Sequence, residues 1–347
     1  MFAPRCGLES LKPYSVEEIQ WPVRLDANEN PTDLPPAIKT KVMEKLAVLP
    51  FNRYPEMSAI SLKSTLAAGF GLKAANVLVG NGSSEILEAL CHAFGGAGRS
   101  IVYPSPSFSM YGIYAKLADS QSVPVALNAD YTLDADKLLA AAKEAAAVVI
   151  LLCNPNNPTG MVMPLEQIEY IVAGTNSLVV VDEAYHEFYG KTAVNLLRKY
   201  QNVAIARTFS KAYSLAAARV GYLLTNEEIA RTIGKVLLPY SVNALTLATA
   251  EIVYGLRQEF AGGLAVNSRE RERMAAVLSA LDGVTVYPSQ TNFLLVKSEN
   301  IAAMVAKLSA RGIGIRDFST APGLTNCIRI SVGTPEENKA VLEAVTA

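Results

Sequence analysis

Imidazole is nearly missing from this 347-residue sequence, in which His92 and His186 are the only two histidines. With no third histidine and no clustered set of ligands, a metal centre or a serine–histidine triad is not the expected chemistry. His92, on an apolar helix face, reads as a packed core residue. Cysteine is as sparse. Cys6, Cys91, Cys153 and Cys327 are scattered without CxxC spacing, as expected of reduced residues in a cytosolic protein rather than of a disulfide framework. Neither sign of charge is in excess: 31 basic and 32 acidic side chains leave a net charge of −1, with no basic footprint for nucleic acid and no acidic tail. Half of the residues are apolar, yet no run approaches the ~18 residues of a membrane span. The opening MFAPRCGLESLKPY lacks the apolar stretch of a signal peptide. The expectation is a soluble, cytoplasmic protein that binds neither nucleic acid nor membrane.

At this length a single core usually stops growing, so a large domain and a smaller one are expected. The division falls at 30–255 for the large domain, with 1–29 and 256–347 as an N-terminal arm and a small C-terminal domain. Leu8–Asn30, with prolines, charges and the single Trp21, reads as an extended arm rather than a packed layer. From Asn76 onward short apolar runs alternate with helical stretches. The runs are Val77–Val79, Ile101–Tyr103, Val123–Ala126, Val148–Leu152, Leu178–Val181 and Val203–Ala206. Continuous apolar strands separated by helices predict an α/β fold with a mostly parallel sheet flanked by helices. After Gly221 the chain is expected to leave that sheet, becoming helical over Glu227–Leu238 and Asn243–Leu281, with Arg269–Arg273 as a solvated charged face. Four short strands and two helices then make a small α+β domain.

In such sheets ligands bind beyond the carboxyl ends of the strands, and the polar residues of this chain gather there. Val77–Val79 runs into Gly80-Asn81-Gly82-Ser83-Ser84-Glu85, whose amides and hydroxyls at a helix start suit a phosphate, although the same turn is an ordinary helix cap. Ile101–Tyr103 ends near Phe108, a ring suited to stacking on a flat heterocycle or to the core. Val148–Leu152 ends in CNPNNPTG at 153–160, a turn rich in amides. Leu178–Val181 ends in Asp182-Glu183-Ala184-Tyr185, where a buried carboxylate needs a cationic partner such as a protonated pyridine nitrogen. The run Val203–Ala206 leads to Ser210-Lys211 and then Arg219. An amine there is either a solvated lysine or one placed to condense with an aldehyde, with hydroxyls and a guanidinium beside it for a phosphate. On a later strand, Arg329 lies between Ile328 and Ile330 and points away from both, a candidate fork for an anion.

These stretches resemble a family. CNPNNPTG, VDEAY at 181–185 and TFSKAYSLAAARVGY at 208–222 look like signatures of fold-type I aminotransferases that use pyridoxal phosphate. LDANENP at 25–31, RYP at 53–55, GNGSSE at 80–85, RDF at 316–318 and RISVG at 329–333 narrow the resemblance to the histidinol-phosphate aminotransferase subfamily. The resemblance implies a Schiff base at Lys211, which also moves the proton at the substrate Cα, and implies that Asp182 holds the ring nitrogen protonated. It implies that Asn157 and Tyr185 bond the ring O3′, that Phe108 stacks on the ring, and that Gly82, Ser83, Ser84, Ser210 and Arg219 hold the cofactor phosphate. Tyr54 would reach in from a second subunit, so a homodimer is implied. Arg329 would take the acidic end of the substrate, helped by Arg316 and Tyr14, with Asn292 lining the pocket. Relatives often carry glycine where this chain has Ser214 and Ala217.

The implied reaction is transamination between L-histidinol phosphate with its imidazole-acetol phosphate ketone and glutamate with 2-oxoglutarate, in histidine biosynthesis. An aromatic amino acid aminotransferase or a threonine-phosphate decarboxylase on the same cofactor site is the nearest enzyme alternative. A nucleotide-binding or regulatory α/β protein, in which the lysine is incidental, is the alternative of another class.

Overall fold

The structure is a computed structural model that describes residues 8, 11 and 19–346. Cys6, Tyr14 and most of the expected N-terminal arm lie outside the described residues. Among the described residues twelve strands occur: β1 (Val23–Leu25), β2 (Val77–Gly80), β3 (Ser100–Ser105), β4 (Gln121–Ala126), β5 (Ala147–Cys153), β6 (Leu178–Asp182), β7 (Val203–Thr208), β8 (Gly221–Thr225), β9 (Val284–Val286), β10 (Phe293–Ser298), β11 (Ile313–Asp317) and β12 (Cys327–Ser331). They form two sheets. The larger has the order β2-β8-β7-β6-β5-β3-β4 and the smaller β1-β11-β12-β10-β9.

The larger sheet is parallel except at β8, which runs antiparallel to both β2 and β7. Its central strands β5, β6 and β7 are largely apolar and buried because helices cover both faces. Along β6, Val179 and Val181 belong to one core layer and Leu178 and Val180 to the other, none more than 6% exposed. The expected strands appear at their places with ends shifted by up to two residues, whereas the helix expected over Glu227–Leu238 ends at Gly234 and the stretch Asn243–Leu281 is two helices, Ala244–Gly255 and Ala261–Ser279, with a short 3-10 turn between them. A helix over Leu165–Ala173 was not foreseen.

Four expectations are corrected. The chain does not leave the larger sheet after Gly221, because Gly221–Thr225 is itself β8, inserted between β2 and β7. Its run is too short, and follows the preceding motif too closely, to stand out as a separate strand. The segment Leu8–Asn30 is not wholly an arm: Val23–Leu25 pairs in parallel with β11, and Leu25 is buried in the smaller core. His92 is not a core residue but an exposed one, 3.9 Å from Glu88 one helical turn earlier. The Arg269–Arg273 run is not a uniform solvated face. Arg271 turns inward and donates to Thr291 O at 3.0 Å.

A buried ion pair braces the strand ends that carry the chemistry. Arg207 on β7 and Glu183, next after β6, are 3% and 2% exposed. The guanidinium donates to Glu183 Oε2 from Nε at 3.0 Å and Nη2 at 2.8 Å. The same carboxylate accepts from Thr192 Oγ1 at 2.8 Å and, through Oε1, from Ala193 N at 2.7 Å. The Phe70 ring lies 5.0 Å from the guanidinium. Removing one partner of such a pair leaves a buried charge uncompensated. Arg207→Met is therefore expected to lower stability by about 3–5 kcal/mol in urea unfolding. A loss below about 1 kcal/mol, the range of an exposed pair, would show that the brace does not hold the strands.

Candidate active site

The loops at the carboxyl ends of β3, β5, β6 and β7 meet, and the segment after β1 crosses them. Asp182 ends β6 with its carboxylate buried. Tyr111 Oη donates to Oδ2 at 2.9 Å and the Ala184 amide to Oδ1 at 3.2 Å. Burial nonetheless pushes the carboxyl up to about 6. Lys211 lies in the loop between β7 and β8, and its Nζ donates to Ala27 O at 2.8 Å. Loss of hydration pushes its amine down to about 7, with the positive charge of Arg329 the next cause.

Tyr185 is 3% exposed, edge-on to Phe293 at 5.2 Å between ring centroids, and its Oη accepts from Asn28 Nδ2 at 2.9 Å. Asn157 Oδ1 accepts from Arg329 Nη1 at 2.7 Å, which leaves its amide nitrogen to face elsewhere. The loops bearing Phe108 and Asn157 are fastened to each other. Ser107 Oγ donates to Asn156 Oδ1 at 2.7 Å, and Asn156 Nδ2 donates to Pro106 O at 3.1 Å and Thr159 Oγ1 at 2.9 Å. Phe108 is half-buried and meets Tyr111 edge-on at 5.5 Å.

Gly82, Ser83 and Ser84 open the helix Gly82–Phe94, whose first amides have no carbonyl a turn earlier to bond. Glu85 Oε2 takes the Asn81 amide at 2.6 Å instead. Arg219 comes in beside this helix start. A Cβ on Gly82, which has φ +78°, would lie 2.5 Å from Arg219 Nη2, and one on Gly221 would lie 2.2 Å from Ser83 N. Only glycine permits that approach. Arg219 Nη1 donates to Ser210 Oγ at 3.3 Å, and Thr208 Oγ1 donates to the same Oγ at 2.9 Å. Gly82, Ser83, Ser84, Ser210 and Arg219 thus form one cradle of donors. Ser214 adopts φ +54°, a conformation that glycine tolerates without cost, whereas Ala217 does not.

Arg316 on β11 and Arg329 on β12 are directly opposed across an antiparallel pair, and their guanidinium carbons lie 5.9 and 5.8 Å from the Phe318 ring. No carboxylate pairs with Arg316 among the described residues. Arg329 Nη2 donates to Asp26 O at 2.6 Å. One expected residue is not brought to this centre, while Tyr54 is expected at the site of a second subunit. Asn292 is fully buried, its Nδ2 donating to Asn28 O at 2.9 Å and Glu29 O at 3.4 Å, so it clamps the crossing segment instead of facing open space. Tyr54 is 82% exposed and stacks on Tyr240 with ring centroids 4.7 Å apart.

The family model for aminotransferase class I and II matches residues 22–345. The chain belongs to this family of aminotransferases. It is 38% identical over 340 residues to the histidinol-phosphate aminotransferase of Thermoanaerobacter pseudethanolicus, covering 97% of this chain and 96% of the relative. It is 39% identical over 341 residues to that of Thermococcus kodakarensis, covering 98% and 97%. Among solved structures, the histidinol-phosphate aminotransferase of Sinorhizobium meliloti in complex with pyridoxal-5′-phosphate superposes with a TM-score of 0.90 at 27% identity, covering 98% of this chain and 96% of that one.

The donor set of this aminotransferase fits a phosphorylated pyridine aldehyde: a helix start and Arg219 for an anion, a buried acid for a ring nitrogen, and an amine with a depressed pKa. Sequence reading assigned no role to Asn28 and Tyr111, which support Tyr185 and Asp182 from behind. Tyr111 stands on the helix Met110–Leu117, three residues after Phe108 in the loop that precedes it, and Asn28 sits inside a motif noted only as a resemblance.

The amine of Lys211 gives a pH test in the apoprotein. Its reaction with trinitrobenzenesulfonate should be half-maximal near pH 7, because only the neutral amine attacks. Removing a neighbouring cation favours the protonated form, so Arg329→Gln should move that midpoint upward. A midpoint near pH 10 in the unaltered protein, followed by peptide mapping, would contradict the desolvated setting of the amine.

Proposed function

We propose that this aminotransferase exchanges an amino group between L-histidinol phosphate and glutamate, through imidazole-acetol phosphate and 2-oxoglutarate, with pyridoxal 5′-phosphate as its cofactor. The observation that carries the substrate reading is the pair Arg316 and Arg329. Two guanidiniums directly opposed on neighbouring strands repel each other, and an anionic group between them turns that repulsion into attraction. The phosphate of one substrate and the carboxylate of the other both fit. The name shared by relatives 38% and 39% identical over nearly the whole chain supports the same choice.

When bound, the cofactor supplies an electron sink that makes the hydrogen on the amino-bearing carbon acidic. Lys211, largely neutral above pH 7, accepts that proton and returns it on the other side of the exchange. Asp182 accepts a hydrogen bond from the ring nitrogen and keeps it protonated, while Tyr111 and the Ala184 amide hold the carboxylate in place. Tyr185 and Asn157 donate to the ring oxygen, and Phe108 covers a ring face. The amides of Gly82, Ser83 and Ser84, the Ser210 hydroxyl and Arg219 bind the cofactor phosphate.

The exposed apolar residues Met43, Val48, Phe51, Met57, Leu238 and Leu245, with the stacked Tyr54 and Tyr240, make the surface through which two copies form a homodimer. There Tyr54 reaches the site of the second copy. The free buried thiols Cys91, Cys153 and Cys327 suit a reducing compartment, the cytoplasm. No helix among the described residues is long and apolar enough to cross a membrane.

Steady-state comparison of histidinol phosphate with phenylalanine, tyrosine and threonine phosphate tests the substrate reading. Histidinol phosphate should have the highest kcat/KM, and Arg316→Gln should reduce it by about 10- to 100-fold, the loss of one charge-assisted contact, while leaving phenylalanine little changed. Equal rates with and without a phosphate group would refute the assignment. Asp182→Asn should still bind the cofactor, with visible absorption that borohydride removes by labelling Lys211, yet lose most of the rate. Full activity in that variant would remove Asp182 from the proposed role.

A further inference from the structure

Asn28 is held on every side. It is 1% exposed, and its backbone sits at φ +54°, a conformation that asparagine tolerates better than most residues. Its backbone N donates to Ser331 Oγ at 2.9 Å, its Oδ1 accepts from the same hydroxyl at 3.2 Å, and its carbonyl accepts from Asn292 Nδ2 at 2.9 Å. The remaining group, Nδ2, donates to Tyr185 Oη at 2.9 Å. As placed, Oδ1 takes the Ser331 hydroxyl proton and Nδ2 faces the phenol.

A carboxamide nitrogen can only donate, and a phenol has one proton and two lone pairs. Tyr185 therefore accepts at Asn28, and its own proton must point elsewhere. Among the described residues no acceptor takes it. The Phe293 edge contact fixes the ring, so the O–H torsion is the freedom left to set. We propose that Asn28 is a positioning residue that fixes Tyr185 as a hydrogen-bond donor towards the ring oxygen of the cofactor. This rests on the reading of Tyr185 as a partner of that oxygen. Asn157 follows the same logic, since Arg329 occupies its carbonyl oxygen and leaves its nitrogen to donate. Burial, the largest influence on the Tyr185 phenol, raises it above its ordinary pKa, so the proton is present at working pH.

Asn28 also ties Ser331 on β12 and Asn292 just before β10 to Tyr185 in the loop after β6, so a purely structural role must be separated from a positioning one. Pyridoxamine 5′-phosphate suits this because it binds the apoprotein without a covalent bond to Lys211. Its affinity should be measured by calorimetry in a cycle of Asn28→Gly, Tyr185→Phe and the double variant, and repeated with the analogue lacking the 3-hydroxyl. Asn28→Gly suits the positive φ and should weaken pyridoxamine phosphate about 10-fold, the scale of one oriented hydrogen bond. The loss should vanish in the Tyr185→Phe background and with the 3-deoxy analogue. Asn28→Asp keeps the size and the acceptor for Ser331 but captures the phenol proton, so it should lose at least as much and keeps the test open should the glycine variant fail to fold. Equal losses in both backgrounds, or unaltered affinity in Asn28→Asp, overturn the proposal. An unchanged affinity in Tyr185→Phe instead removes the reading of Tyr185, and the proposal with it.

Discussion

Removal of water acts on Lys211 and Asp182 in opposite senses, and the chemistry of the site depends on both effects. The same loss of hydration lowers the amine to about 7 and raises the acid to about 6. An amine at its ordinary value would be charged and useless as a base near neutrality. The acid is kept from rising further by Tyr111 and the Ala184 amide, so it is still largely anionic when the amine is largely neutral. The two groups share a working window just above pH 7, and it follows from where β6 and β7 end.

The rest of the architecture keeps those strand ends in register. The Arg207–Glu183 pair links the residue after Asp182 to β7, four residues before Lys211. The mutual bonds of Ser107 and Asn156 fasten the two neighbouring loops. The antiparallel β8 returns Arg219 to the helix start at Gly82, an approach that glycine at 82 and 221 makes possible. Asp26, Ala27 and Asn28 then cross the centre, and their carbonyls accept from Arg329, Lys211 and Asn292. The crossing segment is therefore part of the wall of the site.

Much of this was legible in the sequence. The apolar runs betrayed the larger sheet because strands buried on both faces need no polar alternation, and the motif residues fell at their carboxyl ends. What could not be read depended on distant partners. Nothing local to Arg207, Glu183, Asn28 or Tyr111 announces the residue each one meets 24, 157 or 71 positions away. His92 was misjudged because an apolar helix face also has borders, and Arg271 because one member of a charged run can turn inward. Asn292 is expected to line the pocket, yet its amide serves the crossing segment. β8 was missed because a strand of five residues directly after a loop motif gives too little periodicity to separate from it.

The pairing of Val23–Leu25 with Ile313–Asp317 has a consequence for how the molecule is made. An emerging polypeptide displays β1 long before the mate of that strand exists. At ribosomal speeds of about 5–20 residues per second, the interval is roughly 15 to 60 s. The larger layer, whose strands all lie between residues 77 and 225, can close in the meantime. Because Asp26–Asn28 is continuous with that waiting strand, the centre acquires its last wall only when translation is nearly over, and a nascent chain that has already formed its sheet still lacks a finished pocket.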